Sequence, residues 1–176
     1  MVQEYAGRNI GVFRSDGGEE FMSAQFSQFL HESGTSRETS TRQNGFAEYM
    51  IHTLLDGARA MLQHSGMSKG FWSEAVSTAA YLHNRSPCKG LGWKTPHELL
   101  NGRTPDVSYL RVFGCCAQVH TPEDQRKKWD ANCQPMILVG YESDSKAYRF
   151  WSPGVRSVVV SVSVHFDESC FSRRSI

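Results

Sequence analysis

The chain has 176 residues, enough for one domain or two small ones, and its ten Phe, six Tyr and four Trp can build a core although only 39% of residues are apolar. Its 19 basic and 18 acidic side chains leave a formal charge of +1, which excludes a strong positive field for gripping nucleic acid. The balance is flat along the chain: residues 1–110 carry ten basic and eleven acidic side chains, and residues 111–176 carry nine and seven.

The first residues, MVQEYAGRNIGVFRSD, have no basic region followed by an apolar run, so they do not read as a signal peptide. Residues 9–15 predict a short strand broken by Asp16-Gly17-Gly18. Ser23 caps a helix over 24–32, with Phe26, Phe29 and Leu30 on one face and Gly34 just past its end. Residues 35–42 are polar and end in a loop. From Phe46 to His64 the spacing predicts an amphipathic helix, with Met50, Ile51, Leu54, Leu55, Ala58, Met61 and Leu62 on one half of the wheel. A second helix covers about Phe71 to Asn84 and is ended by Pro87. Thr95-Pro96-His97-Glu98 forms a capping box with Pro at the first helical position, opening a short helix that stops near Gly102.

After Pro105 the period changes from 3.6 to 2. Strands are expected over 110–120, 136–141 and 147–151, and as one alternating run from Val158 to Phe166. Pro122 to Gln134 is a polar connection holding Arg126, Lys127 and Lys128. Several short strands within about sixty residues suggest a small barrel, closed against edge pairing. The domain boundary is expected near 104–107.

The five Cys include no C-x-x-C pair and read as reduced thiols, mostly packed as small hydrophobes. The seven His show no metal-ligand spacing. No stretch is apolar enough for a membrane span, so an intracellular protein of the nucleus or cytoplasm is expected. Taken alone, Asp16 is turn punctuation, and Glu48 is an acid suited to the first turn of a helix. Arg126, Lys127 and Lys128, beside Trp129, offer a small basic run for a nucleic-acid backbone, or simply a solvated loop.

Together the pieces say more. RSDGGEEF, then QNGFAE, GFWSEAVSTAAYLHNRSP, TPHELLNGRTPDVSYLRVFGC, ILVGYESDSKAYRFW and VHFDE follow one another from about Asn9 to Glu168. In order and spacing they resemble the copia-type LTR retrotransposon Pol polyprotein, from the later part of its integrase core into its SH3-like domain. The block from Phe71 to Cys115 is the most specific part.

The resemblance implies a partial ribonuclease-H-like integrase core over 1–106, an SH3-like β-barrel over 107–170 and a tail over 171–176. In that family two aspartates and a glutamate bind magnesium or manganese and cut and join DNA ends. Asp16 matches the second aspartate and Glu48 the glutamate, as catalytic and metal-binding positions. Gln43 and Asn44 match the motif before that glutamate, as nucleic-acid contacts together with Arg126, Lys127 and Lys128. The strand with the first aspartate, and the zinc-binding domain before it, are expected to precede Met1.

The family pattern is altered where it remains. The family's Ser-Asp-Asn-Gly-Gly-Glu-Phe becomes Ser15-Asp16-Gly17-Gly18-Glu19-Glu20-Phe21, and the 31 residues between Asp16 and Glu48 are fewer than the family's spacing. Tyr49, Met50, Ile51 and His52 replace basic residues after the glutamate, and Val162 and Ser163 stand where the family usually has Arg and Asp. The expectation is a catalytically inactive remnant that binds no metal and no small-molecule substrate, and binds DNA weakly. Two alternatives stand beside it. One is a captured module that binds DNA or protein without catalysis. The other is an active integrase, only if an upstream segment supplies the first aspartate. Oligomeric state is left open.

Overall fold

The computed structural model describes residues 10–15, 18–39, 45–121, 126, 131–142 and 145–171. It is a mixed helix-and-sheet protein whose chain divides into two compact units: residues 1–53 with 100–102, and residues 54–99 with 103–176.

In the first unit, β1 (Val12–Ser15) pairs in parallel with β2 (Ser36–Thr39), and α1 (Ala24–Glu32) runs between them in sequence. Parallel strands need such a crossover, since a tight turn reverses direction. The α1 start is as expected: the Ser23 hydroxyl accepts from the Phe26 amide at 3.2 Å. Phe13, Phe21 and Phe26 cluster, with ring centroids 5.2 to 6.1 Å apart. The β2 strand is not expected from the sequence, where 35–42 reads only as polar with a loop at its end; Ser36-Arg37-Glu38-Thr39 is exposed throughout, so no alternation marks it, and the loop lies outside the described residues. The β2 pairing is held instead by backbone bonds, by Thr35 Oγ1 donating to the Ile10 carbonyl at 2.8 Å, and by the Arg14–Glu38 ion pair at 2.8 Å.

The long helix α2 (Gly45–Ser65) contains the division between the units. The second unit then holds α3 (Trp72–His83), α4 (Pro96–Asn101) and a five-stranded antiparallel sheet. Thr95 Oγ1 accepts from the Glu98 amide at 3.0 Å, as the capping box predicts. The strands are β3 (Cys115–His120), β4 (Cys133–Tyr141), β5 (Tyr148–Ser152), β6 (Ser157–Ser161) and β7 (Val164–Phe171), in the order β6-β5-β4-β3-β7.

Two strand expectations are corrected. The strand expected over 110–120 begins only at Cys115, because Gly114 sits at φ +80 and bends the chain before it. The single alternating run from Val158 to Phe166 is two strands, β6 and β7, broken at Val162–Ser163. They lie on opposite edges of the sheet. That placement forces the sheet to curl. A flat sheet would separate the edges by four strand spacings, about 19 Å. Three Cα–Cα steps from Ser161 to Val164 reach at most about 11 Å. The result is a barrel-like sheet whose closing edges are joined by two residues.

The β4 strand is buried from Met136 to Tyr141 because both of its faces are covered. Met136 and Leu138 face one cluster with Cys115, Ala117, Val119, Tyr148 and Phe150. Ile137 and Val139 face a second cluster with Ala58, Met67, Phe71, Ala75 and Phe113. The back half of α2 and the first part of α3 thus lie on the outer face of the sheet, while Tyr81 and Leu82 near the end of α3 pack against the first cluster. Across that seam Thr78 Oγ1 donates to the Val139 carbonyl at 3.1 Å, and Phe71 meets Trp151 edge-on at 5.1 Å. The shared second core keeps residues 54–99 and 103–176 in one compact unit.

One expected result follows from this packing. Among the described residues of the first unit only Leu30 and Thr35 are buried, whereas the second unit owns both clusters. Limited proteolysis followed by mass spectrometry should leave a fragment of about residues 54–171 after residues 10–53 have been lost. Survival of a fragment beginning near 107, with the helices digested, would contradict a shared core.

Candidate functional site

The carboxylate pair expected from the resemblance is only half visible. Glu48 lies in the first turn of α2, exposed, where the helix dipole favours an acid. Asp16 lies outside the described residues, as do Gln43, Asn44, Lys127 and Lys128. Among the described residues no group of three or more His, Cys, Asp or Glu is placed to hold a metal. Around Glu48 the α2 turn shows Tyr49 and Ile51 to solvent, at 66% and 56% exposure, where phosphate contact would need cations. Arg126 is half-buried and donates to the Asn132 side-chain oxygen.

A polar constellation that sequence reasoning missed lies wholly in the second unit. Its centre is α3 and the segment entering the sheet. Tyr81 stacks on Tyr141 with centroids 4.6 Å apart and planes 9° from parallel. The Tyr81 and Tyr109 hydroxyls are 2.5 Å apart, one donating to the other. Arg85, one helical turn after Tyr81, places its guanidinium 3.4 Å over the Tyr81 ring. It also donates to the Tyr109 hydroxyl and the Tyr81 carbonyl, both at 3.2 Å. Tyr148 donates to the Tyr109 carbonyl at 2.9 Å. Tyr141 accepts from the Arg111 amide at 2.9 Å and donates to the Arg111 carbonyl at 2.8 Å. Burial pushes the Tyr141 phenol up to about 12 and raises Tyr81 further, with the Tyr109 hydrogen bond adding to it. Both rings therefore stay neutral and act as fixed hydrogen-bonding posts.

Beside this network opens a pocket of about 390 Å³ lined in part by Tyr81, Arg85, His97, Arg103, Tyr109 and Lys146. On the other side of α3, Glu74 receives two bonds from Arg149, at 2.7 and 3.1 Å, and the pairing raises the Arg149 pKa. That pair fastens α3 to β5 and leaves Arg149 committed to a carboxylate. The only signal for the pocket in the sequence is the four-residue spacing of Tyr81 and Arg85. Its other walls arrive from distant segments.

The cysteines differ from the expectation of packed thiols. Cys115 is buried and pushed up to about 12 by burial, and Cys116 to about 11 by burial and by its bond with Cys170. Cys133 and Cys170 are exposed, and Cys88 is half-buried. Among the described residues no helix is long and apolar enough to cross a membrane.

Comparison with known proteins then places the chain. The retroviral polymerase SH3-like domain model matches residues 115–176, which include all five strands of the curled sheet. The retrovirus-related Pol polyprotein from transposon TNT 1-94 of Nicotiana tabacum is 37% identical over 173 residues, covering 96% of this chain and 13% of that protein. The Pol polyproteins from transposons RE1 and RE2 of Arabidopsis thaliana are 31% and 29% identical, over 92% and 97% of this chain. The chain spans 11% and 12% of their lengths, so it corresponds to a small part of each. The resemblance read from the motifs is borne out: the chain is a relative of the Pol polyproteins of copia-type retrotransposons and carries a retroviral polymerase SH3-like domain.

Proposed function

We propose that the chain is the remnant of a retrotransposon integrase, descended from a protein that integrates DNA by metal-dependent phosphoryl transfer and no longer catalysing that reaction. By descent, residues 1–106 are part of a ribonuclease-H-like core, residues 107–170 the SH3-like module and residues 171–176 a tail. The similarity to Pol polyproteins along nearly the whole chain carries the ancestry. The parallel β1–β2 pair around α1 supports the core assignment, since helix-connected parallel strands belong to α/β sheets covered by helices. The surroundings of Glu48 support inactivity: Tyr49 and Ile51, exposed beside it, offer no charge for gripping phosphate. Magnesium or manganese belongs to the ancestral enzyme, and DNA is a weakly held partner.

The test is an end-processing and strand-transfer assay on labelled long-terminal-repeat ends, with magnesium or manganese. Product at background is expected for the full chain, for Asp16→Ala and for Glu48→Ala alike. Metal-dependent joining by the full chain that either substitution abolishes would overturn the reading.

A second reading, a captured module that binds nucleic acid without catalysis, is favoured by one observation. The pocket beside Tyr81 gathers positive charge in a chain that is otherwise nearly neutral.

A further inference from the structure

The arginines of the chain are satisfied in two ways: some pair with carboxylates, and others, such as Arg37 and Arg111, use neutral acceptors. Arg14, Arg59 and Arg149 each pair with a carboxylate, Glu38, Asp56 and Glu74, at 2.7 to 2.8 Å. Arg85 spends its bonds on neutral acceptors, a phenol and a carbonyl, and its guanidinium rests on an aromatic face. Arg103 has no hydrogen-bond or ion-pair partner among the described residues. Lys146 stands 3.9 Å from Asp106, whose carboxylate is already engaged by the Ser108 amide and hydroxyl at 2.9 and 2.6 Å. Those Ser108 bonds lower the Asp106 pKa, so Asp106 is ionised and offsets one of the three cations. His97 is pushed down, by burial first and then by Arg85 and Arg103, and enters the pocket neutral. Among the described lining residues the balance is three cations against one carboxylate.

This arrangement suits one chemical class of ligand. The Arg85 guanidinium is held rigid by Tyr81 and Tyr109, so little freedom is lost when it binds. A planar guanidinium with unused donors, a second arginine and an ammonium across one cavity match a tetrahedral oxyanion, which takes several charge-assisted bonds at once. The cavity volume of about 390 Å³ exceeds the needs of a single phosphate and leaves room for the group that carries it.

We propose that the pocket formed by Arg85, Arg103 and Lys146 is a phosphate-binding site, and that such nucleic-acid binding as the chain retains runs through it. The site deepens the nucleic-acid-binding reading above and rests on it only for the source of the phosphate. Two source chemistries, a free phosphate and a backbone phosphodiester, share the same recognition.

Calorimetric titration of the full chain with inorganic phosphate, with NMR of the His97 imidazole, tests the site. Saturable binding that shifts the His97 signals is expected. It should weaken at least about tenfold in Arg103→Gln/Lys146→Gln, since each change removes a charge-assisted contact. Both side chains are exposed, so melting should not move. Arg126→Gln/Lys127→Gln/Lys128→Gln should bind phosphate as the parent does. In a second arm, a labelled single-stranded oligonucleotide that phosphate displaces, and that the double variant loses, identifies the backbone as the source. Phosphate binding with no oligonucleotide binding identifies a free phosphate, and upholds the site. The proposal falls if phosphate does not bind saturably, or if the double variant binds it equally well, or if the loss appears in the 126–128 variant instead. Such a failure leaves the remnant reading intact, because the joining assay does not involve this pocket. Joining activity would in turn remove that reading and leave the pocket standing.

Discussion

Gly114→Ala is expected to cost about 4 kcal/mol of stability and to lower the melting temperature by on the order of 10 °C. Two independent effects add at this position. The backbone is at φ +80, a left-handed conformation that disfavours any residue with a Cβ by roughly 1–2 kcal/mol. A Cβ built there would also overlap the Cβ of Ser65, and would lie 3.0 Å from its Oγ and 3.4 Å from Met67 Sδ. Ser65 is fully buried at the end of α2 and its hydroxyl donates to the Leu62 carbonyl, so it has no room to yield. Forcing that overlap adds roughly 1–3 kcal/mol. The Gly114 amide donates to the Leu138 carbonyl at 2.8 Å, which prevents the chain from backing away. Gly154→Ala is the control: it has nothing within 4 Å and no left-handed φ, and should change stability by less than about 0.5 kcal/mol. Equal melting of the two variants would remove both the strain and the close approach from the account.

The glycine of Leu110-Arg111-Val112-Phe113-Gly114-Cys115 shows what a motif can and cannot convey. The order of residues is legible as a family likeness, but its physical reason is a contact with Ser65, nearly fifty positions earlier. Elements whose cause is local were legible. The Ser23 and Thr95 caps, the apolar face of α3 and the buried run of β4 depend on spacing within one segment. What escaped depends on partners elsewhere. Strand β2 has no alternation because its four side chains are all exposed, and only its pairing with β1 defines it. The break at Val162–Ser163 is hidden because alternation continues through it; the chain changes partner there, from β5 to β3. The phosphate pocket escaped for the same reason, since Arg85, Arg103 and Lys146 come from three separate stretches. For the metal pair the situation is reversed. Asp16 and Glu48 were read from motif order, and only Glu48 falls among the described residues.

Phe150→Ala is expected to destabilise the second unit by roughly 3–5 kcal/mol, the usual cost of removing a buried aromatic ring. Phe150 is fully buried on the inner face of β5. Its ring lies 6.1 Å from Tyr148 and 5.9 Å from Phe166, which brings β7 into the same cluster. Removing it opens a cavity between strands that are joined at the closing edges by only two residues, so the sheet cannot collapse onto the gap without losing its curl. Helix α3 should feel the loss, although the Phe150 side chain belongs to the inner cluster. Strand β4 connects the two cores: Leu138 packs inward against Phe150, while Val139 packs outward against α3 and accepts from Thr78. Helical circular dichroism and aromatic fluorescence should therefore shift together in one transition, as they do when a domain unfolds as a unit. Val162→Ala, at a position 69% exposed, should leave both curves within about 0.5 kcal/mol of the parent. A fluorescence transition that drops while the helical signal keeps its midpoint would show that α3 holds its structure without the sheet, and the two-faced burial of β4 would then not couple them.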